Sequence, residues 1–316
     1  MIKFHDIKNK NLFDLCPPSI NEKNWDNFRA KYKKAENFKI LDAPPQIDIE
    51  LNAGCNMKCP FCLHGYKNIK NNLLHIDTYK KIIDEAVDFG VRGLKLINEP
   101  MLRKDLEDCI QYAKKAGMLN IYMVTNGTLL KKDRYDRLLD SGITKVFVSI
   151  DAVTEKTYNK QRLSGKYNLV VNNLMGFIER RNERCLQFPL VRVSFLRNKI
   201  NQHEEKEFDK KWKDKVDIIT YQKMNDLPDI DTGITLSSSN NNTGGCSFPF
   251  KQMVIDNEGD ILPCCKMGGK KLALGNIKNM SLKDAWNSKK MKDLRNIHKT
   301  NKWKENPVCK RCILNE

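Results

Sequence analysis

The sequence predicts an α/β fold in which six strands alternate with helices, followed by a short cysteine-rich segment. Three observations carry that reading. Between residues 46 and 222, short stretches with apolar residues at every second position alternate with longer stretches at helical spacing. Strands joined through helices pair in parallel by right-handed crossovers, which gives a β/α barrel or an open doubly wound sheet. Of the 11 cysteines in 316 residues, eight gather near residue 58 and after residue 245, while Cys16, Cys109 and Cys185 sit alone.

Taken in order, residues 1–44 form a polar, irregular N-terminal extension that runs into DAPPQ, whose prolines mark a boundary. The core, 45–224, begins with the strand QIDIEL (46–51) and the helix IDTYKKIIDEAVDFG (76–90), with Asp77 as its cap and Gly90 at its end. RGLKLI (92–97), NIYMVT (120–125) and KVFVSI (145–150) are strands, separated by helices at 103–117 and 131–142. A helix at 167–182, the strand LVRVSFL (190–196), a helix at 204–214 and the strand VDIITYQ (216–222) complete the series. No glycine-rich dinucleotide fingerprint follows the first strand, which counts against a Rossmann fold. Residues 225–245, rich in Ser, Asn and Gly, are a linker. The remaining 246–316 hold a hairpin at 253–262, turning at Asn257–Gly259, and a helix at 281–297. So small a unit needs a staple, and it carries cysteines to make one.

Composition sets the surroundings. The chain is 40% hydrophobic and 30% charged, without an apolar run near the ~20 residues that span a bilayer. Its start has no apolar signal stretch, so the expected location is the cytoplasm. There, clustered cysteines are metal ligands or catalysts rather than disulfides. The net charge of +17 favours an anionic small molecule such as a phosphate-bearing substrate. Its lysines are scattered, and the dense run 289–304 reads as a helix face plus a loop, so nucleic acid is not the expected partner.

Cys55, Cys59 and Cys62 lie just past the first strand, at the end where β/α barrels collect their chemistry. Iron–sulfur clusters normally take four cysteines, so three on one loop leave a fourth position for an exogenous ligand. The stretch Cys55-Asn-Met-Lys-Cys59-Pro-Phe61-Cys62 resembles the signature of the radical S-adenosylmethionine (SAM) superfamily. The resemblance covers residues 46–222 and implies a partial (β/α)6 barrel. It also implies a [4Fe–4S] cluster whose open iron binds SAM, and an electron from that cluster that cleaves SAM to a 5′-deoxyadenosyl radical. Further matches are INEP, with Asn98, Glu99 and Pro100 where the family usually has Gly-Gly-Glu-Pro, then TNG with Asn126 and SID with Ser149. The resemblance makes Phe61, Asn98, Glu99, Pro100, Asn126, Ser149 and Arg162 candidates for holding SAM. Ser149 would serve the ribose or carboxylate, and Arg162 the carboxylate through its fork. Arg192 is a candidate for SAM, substrate or catalysis, and His64 and Glu99 are further candidates for a base by position alone.

In the tail, Cys246, Cys264, Cys309 and Cys312 form a complete four-thiolate set, with Cys265 expected outside it. On ligands alone, zinc and iron–sulfur remain equal. The order of cysteines, with four residues between Gly259 and Cys264, resembles the SPASM/twitch extension, a small α+β subdomain with an auxiliary [4Fe–4S] cluster. Its ligand spacing is similar to that of 2-deoxy-scyllo-inosamine dehydrogenases, which oxidise a secondary alcohol of a cyclitol. The resemblance implies an oxidoreductase acting on a sugar, nucleotide-sugar or cyclitol hydroxyl in polysaccharide or glycoside synthesis, with two clusters and a flavodoxin or ferredoxin reductant. Peptide modification and sugar epimerisation are the competing enzyme readings, and a zinc-stapled nucleic-acid-binding module is the non-enzyme one.

Overall fold

A computed structural model describes residues 4–8, 12, 14–66, 69–163, 166–224, 232–236, 244–265 and 270–314. Its strands are β1 Phe4–Lys8, β2 Gln46–Ile49, β3 Gly93–Leu96, β4 Asn120–Thr125, β5 Lys145–Ser149, β6 Leu190–Arg197, β7 Ile218–Lys223, β8 Gln252–Ile255, β9 Asp260–Leu262 and β10 Gly275–Asn276. The helices used below are α1 Glu22–Glu36, α2 Leu63–Tyr66, α3 Ile76–Phe89, α4 Leu106–Ala116, α5 Lys132–Asp140, α6 Glu155–Arg162, α7 Tyr167–Glu183, α8 Glu205–Trp212, α9 Phe248–Lys251, α10 Leu282–Asn287, α11 Lys289–Lys299 and α12 Pro307–Leu314.

The six expected core strands are β2 to β7, adjacent in chain order and all parallel. Helices lie between them, as the expected (β/α)6 arrangement requires. Period-two alternation then sorts the side chains. Ile47, Ile49, Leu94, Leu96, Ile121, Met123, Val146, Val148, Val191 and Val193 join the core that the helices cover. Their neighbours on the same strands, among them Gln46, Asp48, Lys95, Tyr122 and Arg192, face the opposite way.

The ends differ from the sequence reading in four places. The extension is not irregular: it contains β1, antiparallel to β7, and α1, whose Trp25 and Phe28 are buried. The few apolar residues of α1 are diluted among lysines and glutamates, which hid its period. Asp77 is not the cap of α3; His75 is, its Nδ1 accepting the Asp77 amide at 3.4 Å, while Asp77 stands in the first turn. The helix expected over 281–297 is two helices, broken at Ser288, whose side chain caps α11 through the Met291 amide at 3.2 Å. Most of the 225–245 linker lies outside the described residues.

The fourth difference is architectural. β8 pairs in parallel with β2, and β9 and β10 follow antiparallel, so the C-terminal unit continues the core sheet as one ten-stranded sheet. Two contacts lock it laterally. Trp286 Nε1 donates to the Leu41 carbonyl at 2.9 Å, and the Leu282 amide donates to Glu85 at 2.5 Å. Among the described residues no helix is long and apolar enough to cross a membrane.

Candidate functional site

The loop after β2 is held before its cysteines begin. The Ala53 amide donates to the Asn72 carbonyl at 2.9 Å, the Leu74 amide to Leu51 at 2.9 Å, and the Gly54 amide to Asn71 Oδ1 at 3.1 Å. The chain then turns tightly, with Cys62 N–H on the Cys59 carbonyl at 3.1 Å and Gly65 N–H on the Cys62 carbonyl at 2.8 Å. A Cβ at Gly65 would stand 2.4 Å from the Cys59 carbonyl oxygen, so only glycine fits there. This winding brings the three thiols together: Cys55 and Cys59 each lie in the field of Cys62, and Cys59 in that of Cys55. Burial pushes the Cys55 thiol up to about 11 and the Cys59 thiol to about 12, so both carry protons until a metal displaces them.

The motifs after the later strands converge on this loop. Asn98 has φ 68, the left-handed conformation that asparagine tolerates best after glycine. It therefore supplies the turn expected of the missing glycine. Its side chain donates to the Glu50 carboxylate and to the Asn52 carbonyl at 3.2 Å. Glu99 is 1% exposed, and its carboxylate accepts from Thr125 Oγ1 at 2.6 Å and from the Asn126 amide at 2.7 Å. It thus ties INEP to TNG with both oxygens engaged. Burial nonetheless raises it to about 7, against the lowering effect of those hydrogen bonds. Pro100 opens the following 3-10 turn and is buried.

Asn126 donates to Cys55 Sγ at 3.8 Å and to Asn56 Oδ1 at 2.8 Å, and its own Oδ1 accepts from Thr128. Ser149 ends β5 on the face opposite the packed valines, in register with Ser194 of β6. Arg162, at the end of α6, is buried, stacks 5.6 Å from the Phe61 ring and pairs with Asp151. Asp151 is itself fixed, with φ 62 and Oδ1 accepting the Leu196 amide at 2.8 Å. His64 sits on α2, half-buried beside the cysteine loop.

Below this rim lies a group of which the sequence reading singled out only Arg192. Asp48 accepts from Gln46 at 2.5 Å and Gln252 at 3.0 Å and pairs with Lys95 at 3.5 Å. Tyr122 donates to Gln46 at 3.0 Å, and the Arg192 guanidinium stands 3.5 Å from the Phe147 ring. Burial lowers Arg192 to about 9, which leaves it charged at neutral pH. The signal was present. Parallel strands covered on both faces read as continuous apolar runs, and the alternation in QIDIEL departs from that. A polar inner wall is the physical meaning of the departure.

The C-terminal cysteines form the second group. Cys246 precedes α9, Cys264 and Cys265 follow β9, and Cys309 and Cys312 lie one turn apart on α12. Cys309 lies in the field of Cys246, Cys312 and Cys265. Cys265, expected to stand apart, lies in the field of Cys264 and Cys246, and Cys312 lies in that of Cys265. The Cys265 thiol therefore lies within the electrostatic reach of the four expected ones.

Two family models match: the radical SAM superfamily over residues 49–188, and an iron-sulfur cluster-binding domain, SPASM, over 246–313. The chain thus carries a radical SAM domain followed by a SPASM domain. Together the two domains imply SAM and two [4Fe–4S] clusters as cofactors. The donors fit. Three thiols with no fourth at the core loop suit an open-iron cluster, and the full thiol set of the tail suits a closed one.

A probable GTP 3′,8-cyclase of Methanococcus maripaludis is 33% identical over 133 residues, 42% of this chain and 44% of the relative. An Fe-coproporphyrin III synthase of Methanosarcina barkeri is 30% identical over 151 residues, 47% and 38% respectively. The chain thus spans less than half the length of these curated relatives. The crystal structure of BtrN in complex with AdoMet and 2-DOIA matches with TM-score 0.56 at 20% identity, over 85% of this chain and 92% of that one. At that identity the match establishes the fold.

Proposed function

We propose that this radical SAM enzyme is a dehydrogenase that oxidises a hydroxyl of a sugar, nucleotide-sugar or cyclitol. One observation carries the reading: the inner wall is built from Asp48, Lys95, Tyr122, Gln252 and Arg192, a buried to half-buried set of hydrogen-bonding groups of the kind that suits a polyhydroxylated molecule. The second thiol set supports it, because a two-electron oxidation begun by one-electron chemistry needs a place for the second electron. The BtrN match, over 85% of this chain and 92% of that one, is consistent with the fold this reading needs.

When bound, SAM and the clusters supply hydrogen-atom abstraction from a carbinol carbon and a one-electron acceptor. The chain's own residues bind and orient. Cys55, Cys59 and Cys62 hold the first cluster. The backbone at Asn98, the side chain of Ser149 and the guanidinium of Arg162 address SAM, and Phe61 walls it. Glu99 and Asn126 keep those loops in register. Cys246, Cys264, Cys309 and Cys312 hold the second cluster, with the Cys265 thiol alongside Cys312. Arg192 orients the substrate by donating to its oxygens, and its charge favours an anionic one. The expected setting is the cytoplasm, with a flavodoxin or ferredoxin as reductant.

The test is substrate screening with the anaerobically purified, reduced protein. Acceleration of SAM cleavage by sugar nucleotides or cyclitols, with a ketone as product, supports the proposal. An inverted centre carrying one deuterium from deuterated water indicates an epimerase instead. Acceleration by GTP or by peptides alone contradicts the sugar assignment.

A further inference from the structure

His298 lies on the inner face of α11 with Met291, Leu294 and Arg295, and it is 4% exposed. Its ring bridges two separate segments of the second cysteine site. Nδ1 accepts the Cys246 backbone N–H at 3.1 Å, and Nε2 stands 3.5 Å from Cys309 Sγ. The approach is close along the backbone too: a Cβ at Gly245 would stand 2.3 Å from the His298 carbonyl oxygen. An imidazole whose Nδ1 accepts a hydrogen bond is neutral and carries its one proton on Nε2. That proton points at the Cys309 sulfur.

We propose that His298 is a positioning residue for the second cluster, fixing the Cys246 backbone and donating an Nε2–H···S hydrogen bond to Cys309. The inference rests on the reading that Cys246 and Cys309 are ligands of that cluster. A thiolate that receives a hydrogen bond carries less negative charge toward iron, and reduction adds a negative charge, so the bond favours the reduced state. The second cluster is thereby made a better electron acceptor than its thiolates alone would make it. The basic helix α11 acquires a specific role through one buried ring, while its exposed lysines remain a solvated face.

The experiment uses the full chain with both sites reconstituted and reduced, and added SAM marks the first cluster's signal. Pulsed electron paramagnetic resonance on protein carrying imidazole-labelled 15N-histidine is expected to show a weak nitrogen coupling to the second cluster. The coupling should disappear in His298→Gln. In redox titrations His298→Leu should shift the second cluster to a more negative midpoint and leave the first unchanged. His298→Gln, whose amide can still reach the sulfur, should fall between. About eight irons per chain with no nitrogen coupling overturns the inference and leaves the two-cluster reading intact. About four irons, all lost in C55A/C59A/C62A, overturns both. If His298→Leu and His298→Gln both lose iron, the wild-type coupling decides.

Discussion

Glu99 shows how far one side chain can depart from its motif role. The sequence placed it among groups touching SAM, yet both carboxylate oxygens serve the adjacent loop. Its ordinary value of 4.5 is raised to about 7 by burial. A folded state that keeps a proton which the unfolded chain has lost is favoured at low pH. The contribution is fully present below 4.5 and is lost as pH rises through about 7. From a shift of roughly 2.5 units this is on the order of 3 kcal/mol. Thermal melts of the metal-free protein should therefore fall between pH 5 and 7, and Glu99→Gln should flatten that slope. At the second site the residue-level question is which of two neighbouring cysteines binds iron. The spacing after Gly259 selects Cys264. Cys264→Ser should halve the iron content, whereas Cys265→Ser should keep it near eight per chain by iron and sulfide assay. The reverse pattern would assign the ligand to Cys265.

At the scale of elements, two turns set the geometry of the cofactor site. Asn98 works because its backbone adopts the left-handed conformation, so Asn98→Gly should keep SAM binding. Asn98→Val should cost about 1–3 kcal/mol of stability and weaken SAM binding, read by denaturation and calorimetry. Gly65→Ala, which sets a methyl against the Cys59 carbonyl, should lower iron in the first cluster while leaving the second in place. The cysteine loop, the strand order and the motifs at successive strand ends were legible because each is local: a spacing, a period, a position relative to a strand. The polar wall that Asp48, Lys95 and Tyr122 form with Arg192 was not. It depends on which side of each strand meets the helices, and only the side-by-side parallel pairing of the strands brings those residues together. His298 was hidden for a similar reason, since its partners are 52 and 11 residues away in sequence.

For the whole molecule, the parallel pairing of β2 with β8 makes one sheet of what read as two domains with a linker. Glu50 is buried at that seam and accepts from both Asn98 and the Asn257 amide, so one carboxylate touches the core motif and the C-terminal hairpin. Trp286 seals the other side, with Arg295 stacked 3.7 Å from its ring. Trp286→Ala should cost about 3–5 kcal/mol and lower the melting temperature of the entire chain in a single transition. A separate early transition for the C-terminal unit would contradict the continuous sheet. The molecule as a whole rests on the core thiol trio leaving one iron open to SAM. Electron paramagnetic resonance of the reduced, oxygen-free protein tests this most directly. Adding SAM should change the signal of the cluster held by Cys55, Cys59 and Cys62 and leave that of the second cluster as it was. A spectrum untouched by SAM, with both clusters present, would contradict it.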